Sequence, residues 1–349
     1  MKPEKVAIGM SGGVDSSVAA ALLKKSGYEV IGLTMILWDN DKNAIEDAKR
    51  VCEKMEIEHH CVDFRDEFNK IVIDYFVEEY QSGRTPNPCI VCNRFLKFDA
   101  MQSYAETLGA DKIATGHYAK IQLDEESGRY LLKQANSCEK DQTYVLYSLT
   151  QKQLSRTLMP LGELKSKAET REIAEQLGFD VATKADSMEI CFIPDQDYVK
   201  FIERYSGKKC TPGDFVDANG NVLGKHSGII NYTIGQRKGL GVTFGKPMFV
   251  TRIDAEKNTV VLGEKGTEFS QELMANKLNF IPFEKLTQPI QVVAKVRYSA
   301  KPAPATVIPE GEDMVRVVFD LPQRAVTPGQ AVVFYDKNDM SVIGGGIIR

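Results

Sequence analysis

The chain carries no apolar run long enough to cross a bilayer and no signal-peptide pattern after Met1, which leaves the cytoplasm as the expected compartment and no role in a membrane. It also lacks the common nucleotide motifs. No GxxxxGK followed by Ser or Thr occurs, because the Gly-Lys pairs continue into Lys209, His226 and Pro247, and no GxGxxG spacing follows its first apolar run. Positive charge is not in surplus either. A net charge of -4 supplies no bulk attraction for nucleic acid, so any RNA contact must come from a local basic patch. The stretch from Leu286 to Ala305 offers one, with Lys295, Arg297 and Lys301 around Tyr298 and no acid, and it reads equally well as an ordinary solvated face. Seven cysteines in 349 residues are an odd set, too sparse for a secreted disulfide scaffold, and are read as reduced thiols. A single CxxC, at Cys89 and Cys92, has no second pair to close a zinc site.

What the chain does have begins at VAIGMSGGVDSS, Val6 to Ser17. Val6, Ala7 and Ile8 predict a short buried strand, and Ser16 to Lys25 a helix ended by Gly27. Between them Gly12 and Gly13 free the backbone to reach positive φ and bring amides close to an anion. Ser11, Ser16 and Ser17 add hydroxyls, and the helix dipole favours phosphate at that end. This is the geometry of a phosphate cradle. The string resembles the SGGxDS signature of the PP-loop ATP pyrophosphatases, an adenine nucleotide α-hydrolase-like group whose loop holds the departing pyrophosphate of ATP. That resemblance implies adenylation rather than phosphoryl transfer, with Asp15 near the phosphates and Mg2+ neutralising their charge.

The first half alternates short apolar runs with helical patterns and predicts an α/β fold built on a doubly wound parallel sheet. Lys112 to Thr115 would deliver Gly116, His117 and Tyr118 to the sheet edge where such folds bind ligands. Lys120 to Ala135 predicts a hairpin around Glu126, Ser127 and Gly128, and Gln151 to Leu177 a helix-rich stretch. After residue 205 short β-like runs dominate, with a second change at Phe280 to Pro289. The expected division is therefore 1–205 for the nucleotide domain, 206–280 for a small β-rich domain and 281–349 for a β-barrel that binds tRNA.

In TPNPCIVCN, Pro86 and Pro88 predict an extended approach and Asn93 the start of a helix, so Cys89 and Cys92 would lie just before a helix end that lowers thiol pKa. Cys191, in the segment between Asp186 and Asp195, reads as either a buried small hydrophobe or a reactive thiol. The strings SGGVDSS, TPNPCIVCN, ATGHYA, KDQTYVLY, ICFIP, IGQRKGLG and TPGQAVVFY occur in the order of the bacterial tRNA-specific 2-thiouridylases, and the chain resembles that family from Val6 to its end. The resemblance implies that ATP adenylates the oxygen at carbon 2 of the wobble uridine, position 34, and that sulfur then displaces AMP. It implies Cys191 as persulfide carrier and Cys92 as the nucleophile that frees the sulfur, through a transient disulfide with Cys191.

The same resemblance places Gly9, Met10, Ser11, Gly12, Gly13, Val14, Asp15, Ser16, Met35 and Gly116 around ATP, and Asn87, Pro88 and Cys89 at the target base. It places His117, Lys140, Asp141, Gln142, Arg297, Tyr298 and Gln330 on the tRNA, although His117 alone would read as a packed core histidine. The implied partners are tRNA and a sulfur donor, such as a cysteine desulfurase or a sulfur-relay protein. One position departs from the pattern, because many relatives carry Asp where this chain has Cys89. Three thiols, Cys89, Cys92 and Cys191, leave a 4Fe-4S cluster with one open iron as the alternative to the persulfide. Two other classes compete: a different adenylating synthetase, for which no glutaminase domain is apparent, and a non-catalytic RNA-binding or iron-sulfur module, against which Asp15 and both glycines argue.

Overall fold

A computed structural model describes residues 3–38, 42–184 and 190–349. The first apolar run forms β1 (Lys5–Gly9), followed by α1 (Val14–Lys25), β2 (Glu29–Ile36), α2 (Lys42–Lys54) and β3 (Glu58–Asp63). Two long helices, 65–81 and 88–107, precede β4 (Lys112–Ala114). The predicted hairpin is β5 (Ala119–Asp124) with β6 (Arg129–Gln134), and β7 (Thr157–Leu158) closes the run. These strands make a parallel sheet in the order β3-β2-β1-β4-β7, with β5 and β6 paired separately.

Side chains of β1 and β2 alternate between two cores, as a sheet covered on both faces requires. Ala7 and Leu33 face the layer that holds Phe68, Phe76, Phe98 and Met101 of the long helices. Val6, Ile8 and Val30 face Val18 and Ala19 of α1 and Ala174 of the Lys167–Gln176 helix. The chain is thus wound on both sides of the sheet, and the strand order reverses between β1 and β4. That reversal opens the crevice in which ligands of such sheets sit.

Three expectations are corrected. The second long helix begins at Pro88, not Asn93, because proline suits a first helical turn, where its missing N–H would have no partner and its fixed φ is already helical. Cys89 and Cys92 therefore lie inside the helix. The stretch expected to be helix-rich contains β7, a strand too short to leave a periodicity. The barrel starts well before 281. Its first strand is β12, as numbered after β8 (Gly213–Val216), β9 (Val222–His226), β10 (Met248–Asp254) and β11 (Thr259–Glu264) of a separate sheet ordered β10-β11-β8-β9.

The barrel comprises β12 (Phe269–Phe280), β13 (Ile290–Lys295), β14 (Ala303–Pro309), β15 (Met314–Arg324), β16 (Ala331–Tyr335) and β17 (Val342–Ile348). It closes in the order β12-β15-β14-β13-β16-β17, and Pro282 to Pro289 is a connection within it. Every residue of β16 is buried. Val332 and Phe334 point into the barrel core, whereas Ala331, Val333 and Tyr335 pack with Tyr144 and Tyr147 in the core of the parallel-sheet domain. Tyr144 OH donates to Ala331 O at 2.8 Å, and Asn279 Nδ2 donates to Tyr147 O at 2.7 Å. No helix among the described residues is long and apolar enough to cross a membrane.

Val333→Asp places a carboxylate in the shared core, where nothing pairs it, and is expected to cost roughly 3 kcal/mol or more. Calorimetry and limited trypsin digestion should show a lowered unfolding temperature and new cleavage between the barrel and the preceding domains. Unchanged unfolding and digestion would show that β16 does not join the two cores.

Candidate active site

The nucleotide loop joins β1 to α1 at the sheet's point of reversal. Met10 N donates to Leu33 O at 2.7 Å and Thr34 Oγ1 donates to Met10 O at 3.0 Å, so the loop leaves the sheet on a fixed course. Gly12 has φ +65°, and a Cβ there would fall 2.3 Å from Ala44 O, so only glycine fits. Gly13 caps α1 without a side-chain hydrogen bond, which leaves first-turn amides available to an anion. The serines act differently from expectation. Ser16 and Ser17 hydroxyls donate to Gly13 O at 3.1 and 2.9 Å, and Ser11 N donates to Ser16 Oγ at 3.2 Å, so these groups brace the loop.

Gly116 follows β4 and presses on the same helix start. A Cβ at Gly116 would meet Asp15 C and Ser16 N at 2.8 Å, so a larger residue would displace the loop. Asp15 is not bare: Lys167 Nζ donates to both its oxygens at 2.7 Å, and Tyr118 OH donates to Oδ1 at 2.8 Å. Lys184 Nζ donates to Gly12 O at 3.0 Å and to Asp47 Oδ2 at 2.8 Å. Sequence reasoning missed both lysines. Only Lys167 had a local signal, the Ser166-x-x-Glu169 helix start, in which Ser166 Oγ accepts from Glu169 N at 3.2 Å. Met35, near the end of β2, is half-buried against the helix-side core.

A second group of residues gathers one layer away. Cys89 is exposed and Cys92 buried, both in the first turns of the 88–107 helix, which carries π-type hydrogen bonding from Asn93 to Ala100. Burial raises the Cys92 thiol, the reverse of the lowered pKa expected at a helix start; Lys97 opposes that rise. Cys191 keeps contact with solvent, yet the protein around it, then Cys92 and Cys89, push its thiol up to about 12, again against Lys97. Phe192 fixes that segment by packing edge-on against Phe68 and Phe76, with centroids 5.5 and 5.4 Å away. Asp186, the expected segment boundary, lies outside the described residues. Among the described residues no three His, Cys, Asp or Glu side chains are gathered to hold a metal ion.

His117 links the two groups. Its Nδ1 lies 2.8 Å from Thr115 Oγ1, its ring 5.8 Å from that of Phe98, and burial followed by Lys97 holds its pKa well below the ordinary value. The other expected tRNA contacts split into bracing and presented groups. Gln142 is tied to Tyr118 through both its backbone and side chain at 2.9 Å, and Asp141 Oδ1 accepts from Ala135 N at 3.2 Å. Gln330 Nε2 donates to Thr85 O and Pro86 O at 2.9 and 3.2 Å, so the barrel holds the approach to Asn87, Pro88 and Cys89. Tyr298 is 46% exposed and presents its ring beside Lys295, 5.5 Å from its centroid, while its hydroxyl donates to Asp141 O at 3.3 Å. Arg297 adjoins it, and Lys140 ends the short turn Cys138–Lys140 before Asp141.

Residues 4–195 match the family model described as the tRNA methyl transferase HUP domain, 199–264 that of its PRC-barrel domain and 270–348 an aminomethyltransferase β-barrel domain. A tRNA-specific 2-thiouridylase of Acetivibrio thermocellus is 55% identical over 362 aligned positions, covering 100% of both chains. Another, of Clostridioides difficile, is 54% identical over 99% of this chain and 98% of its own. This chain belongs to the tRNA-specific 2-thiouridylase family. The family resemblance carried by the seven sequence motifs therefore stands over the full length.

The neutral His117 gives a pH signature. Unfolded, the imidazole takes a proton near 6.5, whereas in the fold it resists, so stability should fall as pH drops below about 6.5. His59 and His226 are shifted the same way by burial, so His117→Asn should remove only part of the slope. Urea midpoints measured from about pH 7.5 down to about 5.5 test this, and an identical slope in the variant would contradict it.

Proposed function

We propose that this protein is an ATP-dependent tRNA-uridine 2-sulfurtransferase that converts the wobble uridine to 2-thiouridine with release of pyrophosphate and AMP. The observation that supports the reading is an anion-accepting loop braced by Gly116 and Tyr118, with His117 between them under the charge of Lys97, the same lysine whose charge reaches Cys92 and Cys191. An enzyme that activates an oxygen and then replaces it with sulfur needs those two chemistries side by side. Methyl transfer, named in two of the family-model descriptions, would need neither the cysteines nor a pyrophosphate loop.

In the first step O2 of the uridine attacks the α-phosphorus of ATP, and pyrophosphate leaves into the amides at the start of α1. Lys167 and Lys184 are the cations at that loop, and Asp15 is the residue that would hold Mg2+, whose charge would offset that of the phosphates. In the second step the terminal sulfur of a Cys191 persulfide attacks carbon 2 and AMP departs, leaving the base joined to Cys191 through two sulfurs. The Cys92 thiolate then attacks the Cys191 sulfur, which forms a Cys92–Cys191 disulfide and leaves C=S on the base. The two thiols supply the electrons that reduce the transferred sulfur, and an external dithiol restores them.

The base would enter beside Asn87, Pro88 and Cys89, with Tyr298 as a stacking surface and Lys140, Arg297 and Lys295 near the phosphates. The sulfur donor would be a persulfide-bearing cysteine desulfurase or relay protein, met at the exposed Cys191 in the cytoplasm.

Cys191→Ser and Cys92→Ser should each reduce thiolated tRNA to background while pyrophosphate release with bulk tRNA persists. Thiolation by either variant at the unsubstituted rate would overturn its assigned role. Cys89→Asp distinguishes sulfur routes: the persulfide route predicts robust thiolation in iron-free protein, whereas an obligatory 4Fe-4S cluster predicts activity only in reconstituted, unsubstituted enzyme.

A further inference from the structure

Lys97 takes part in none of the steps above, yet it lies where the sulfur chemistry happens. It sits five residues after Cys92 on one continuous helix. In an α-helix that spacing would turn the two side chains about 140° apart. The π-type i→i+5 hydrogen bonding of residues 93–100 brings them back toward one face. Three groups from separate parts of the chain feel its charge: Cys92 on the same helix, Cys191 beyond the Lys167–Gln176 helix, and His117 after β4. Its charge therefore reaches both thiols and His117, which follows Gly116 beside the nucleotide loop. Lys97 is half-buried and has no hydrogen bond or ion pair among the described residues, while Asp99, two residues on, is exposed. A half-buried cation without an ion-pair partner is free to pair with a transient anion beside it.

We propose that Lys97 is the positioning residue of sulfur transfer, an ammonium that stabilises the anionic sulfur of Cys92 and Cys191 and plays no part in adenylation. The inference rests on the sulfur-transfer reading. Each of that reading's exchanges needs a thiolate or perthiolate, and burial opposes both. A fixed positive charge on the shared face offsets the opposition at both sulfurs at once. Arginine can supply the same charge; methionine and glutamine keep the stem and lose it.

The test uses the full-length protein and its Lys97→Met, Lys97→Gln and Lys97→Arg variants, with tRNA, ATP and Cys191 preloaded with persulfide by a cysteine desulfurase and cysteine. In single turnover, pyrophosphate release should stay within about 3-fold of the unsubstituted protein in all three, whereas 2-thiouridine formation should slow about 100-fold in the Met and Gln variants and recover to within about 10-fold in the Arg variant. Without tRNA, iodoacetamide should alkylate Cys92 more slowly in the Met and Gln variants, read peptide by peptide, and the Arg variant should restore the rate. Sulfur transfer at the normal rate in Lys97→Met or Lys97→Gln overturns the proposal. Equal loss of pyrophosphate release and thiolation in all three variants also overturns it, because that pattern assigns Lys97 to folding or tRNA binding. Thiolation by a Cys191→Ser control would instead overturn the underlying sulfur reading, so the two failures are separable.

Discussion

The arrangement of this molecule depends on β16, a strand that belongs to two cores at once. Because side chains alternate along a strand, Ala331-Val332-Val333-Phe334-Tyr335 can be apolar throughout and still have every position used, two facing the barrel and three facing the parallel-sheet domain. The barrel is thereby fixed against Tyr144 and Tyr147. From there its loops reach the approach to the 88–107 helix: Thr85 N donates to Pro328 O at 2.9 Å, and Gln330 reaches the two carbonyls that precede Asn87. A domain that looks peripheral in the chain therefore sets the entry angle of the helix that carries Cys89 and Cys92.

Electrostatics explain why the two halves of the site stay distinct. The nucleotide loop is rich in donors, with open helix amides and two lysines that already hold Asp15, Asp47 and Gly12 O. In the thiol region burial raises the thiols of Cys92 and Cys191, and Lys97 opposes that rise at both. Highly charged phosphates suit the first environment, while sulfur, soft and easily polarised, suits the second. Gly116 and Tyr118 both engage α1 at Asp15, while His117 between them faces Phe98.

Much of this was legible in the sequence where a local rule applied. Gly12 announced its positive φ, and the strand and helix on either side announced a cradle. The parallel sheet followed from alternation, although β7 was too short to leave a pattern. The helix start was misplaced because Pro88 was read as part of an extended approach when it opens the helix, and the Cys92 shift ran opposite to expectation because the thiol is buried. The serines of the loop were legible as polar groups, but not as groups spent on Gly13 O. Lys167, Lys184 and the anchor Phe192 act across long sequence distances, and the π-type register that turns Lys97 toward Cys92 has no local sequence signature. Position 281 was chosen on prolines, yet β12 had already entered the barrel through its pairs with β15 and β17.

The account makes adenylation of the base the event that permits sulfur to enter, and the oxygen that leaves records whether this is so. The most direct measurement uses tRNA carrying 18O at O2 of the wobble uridine, turned over once with ATP and persulfide-loaded protein. The account predicts one 18O in the phosphate of the released AMP for each 2-thiouridine formed. An unlabelled AMP, with the isotope in water or in inorganic phosphate, would contradict it.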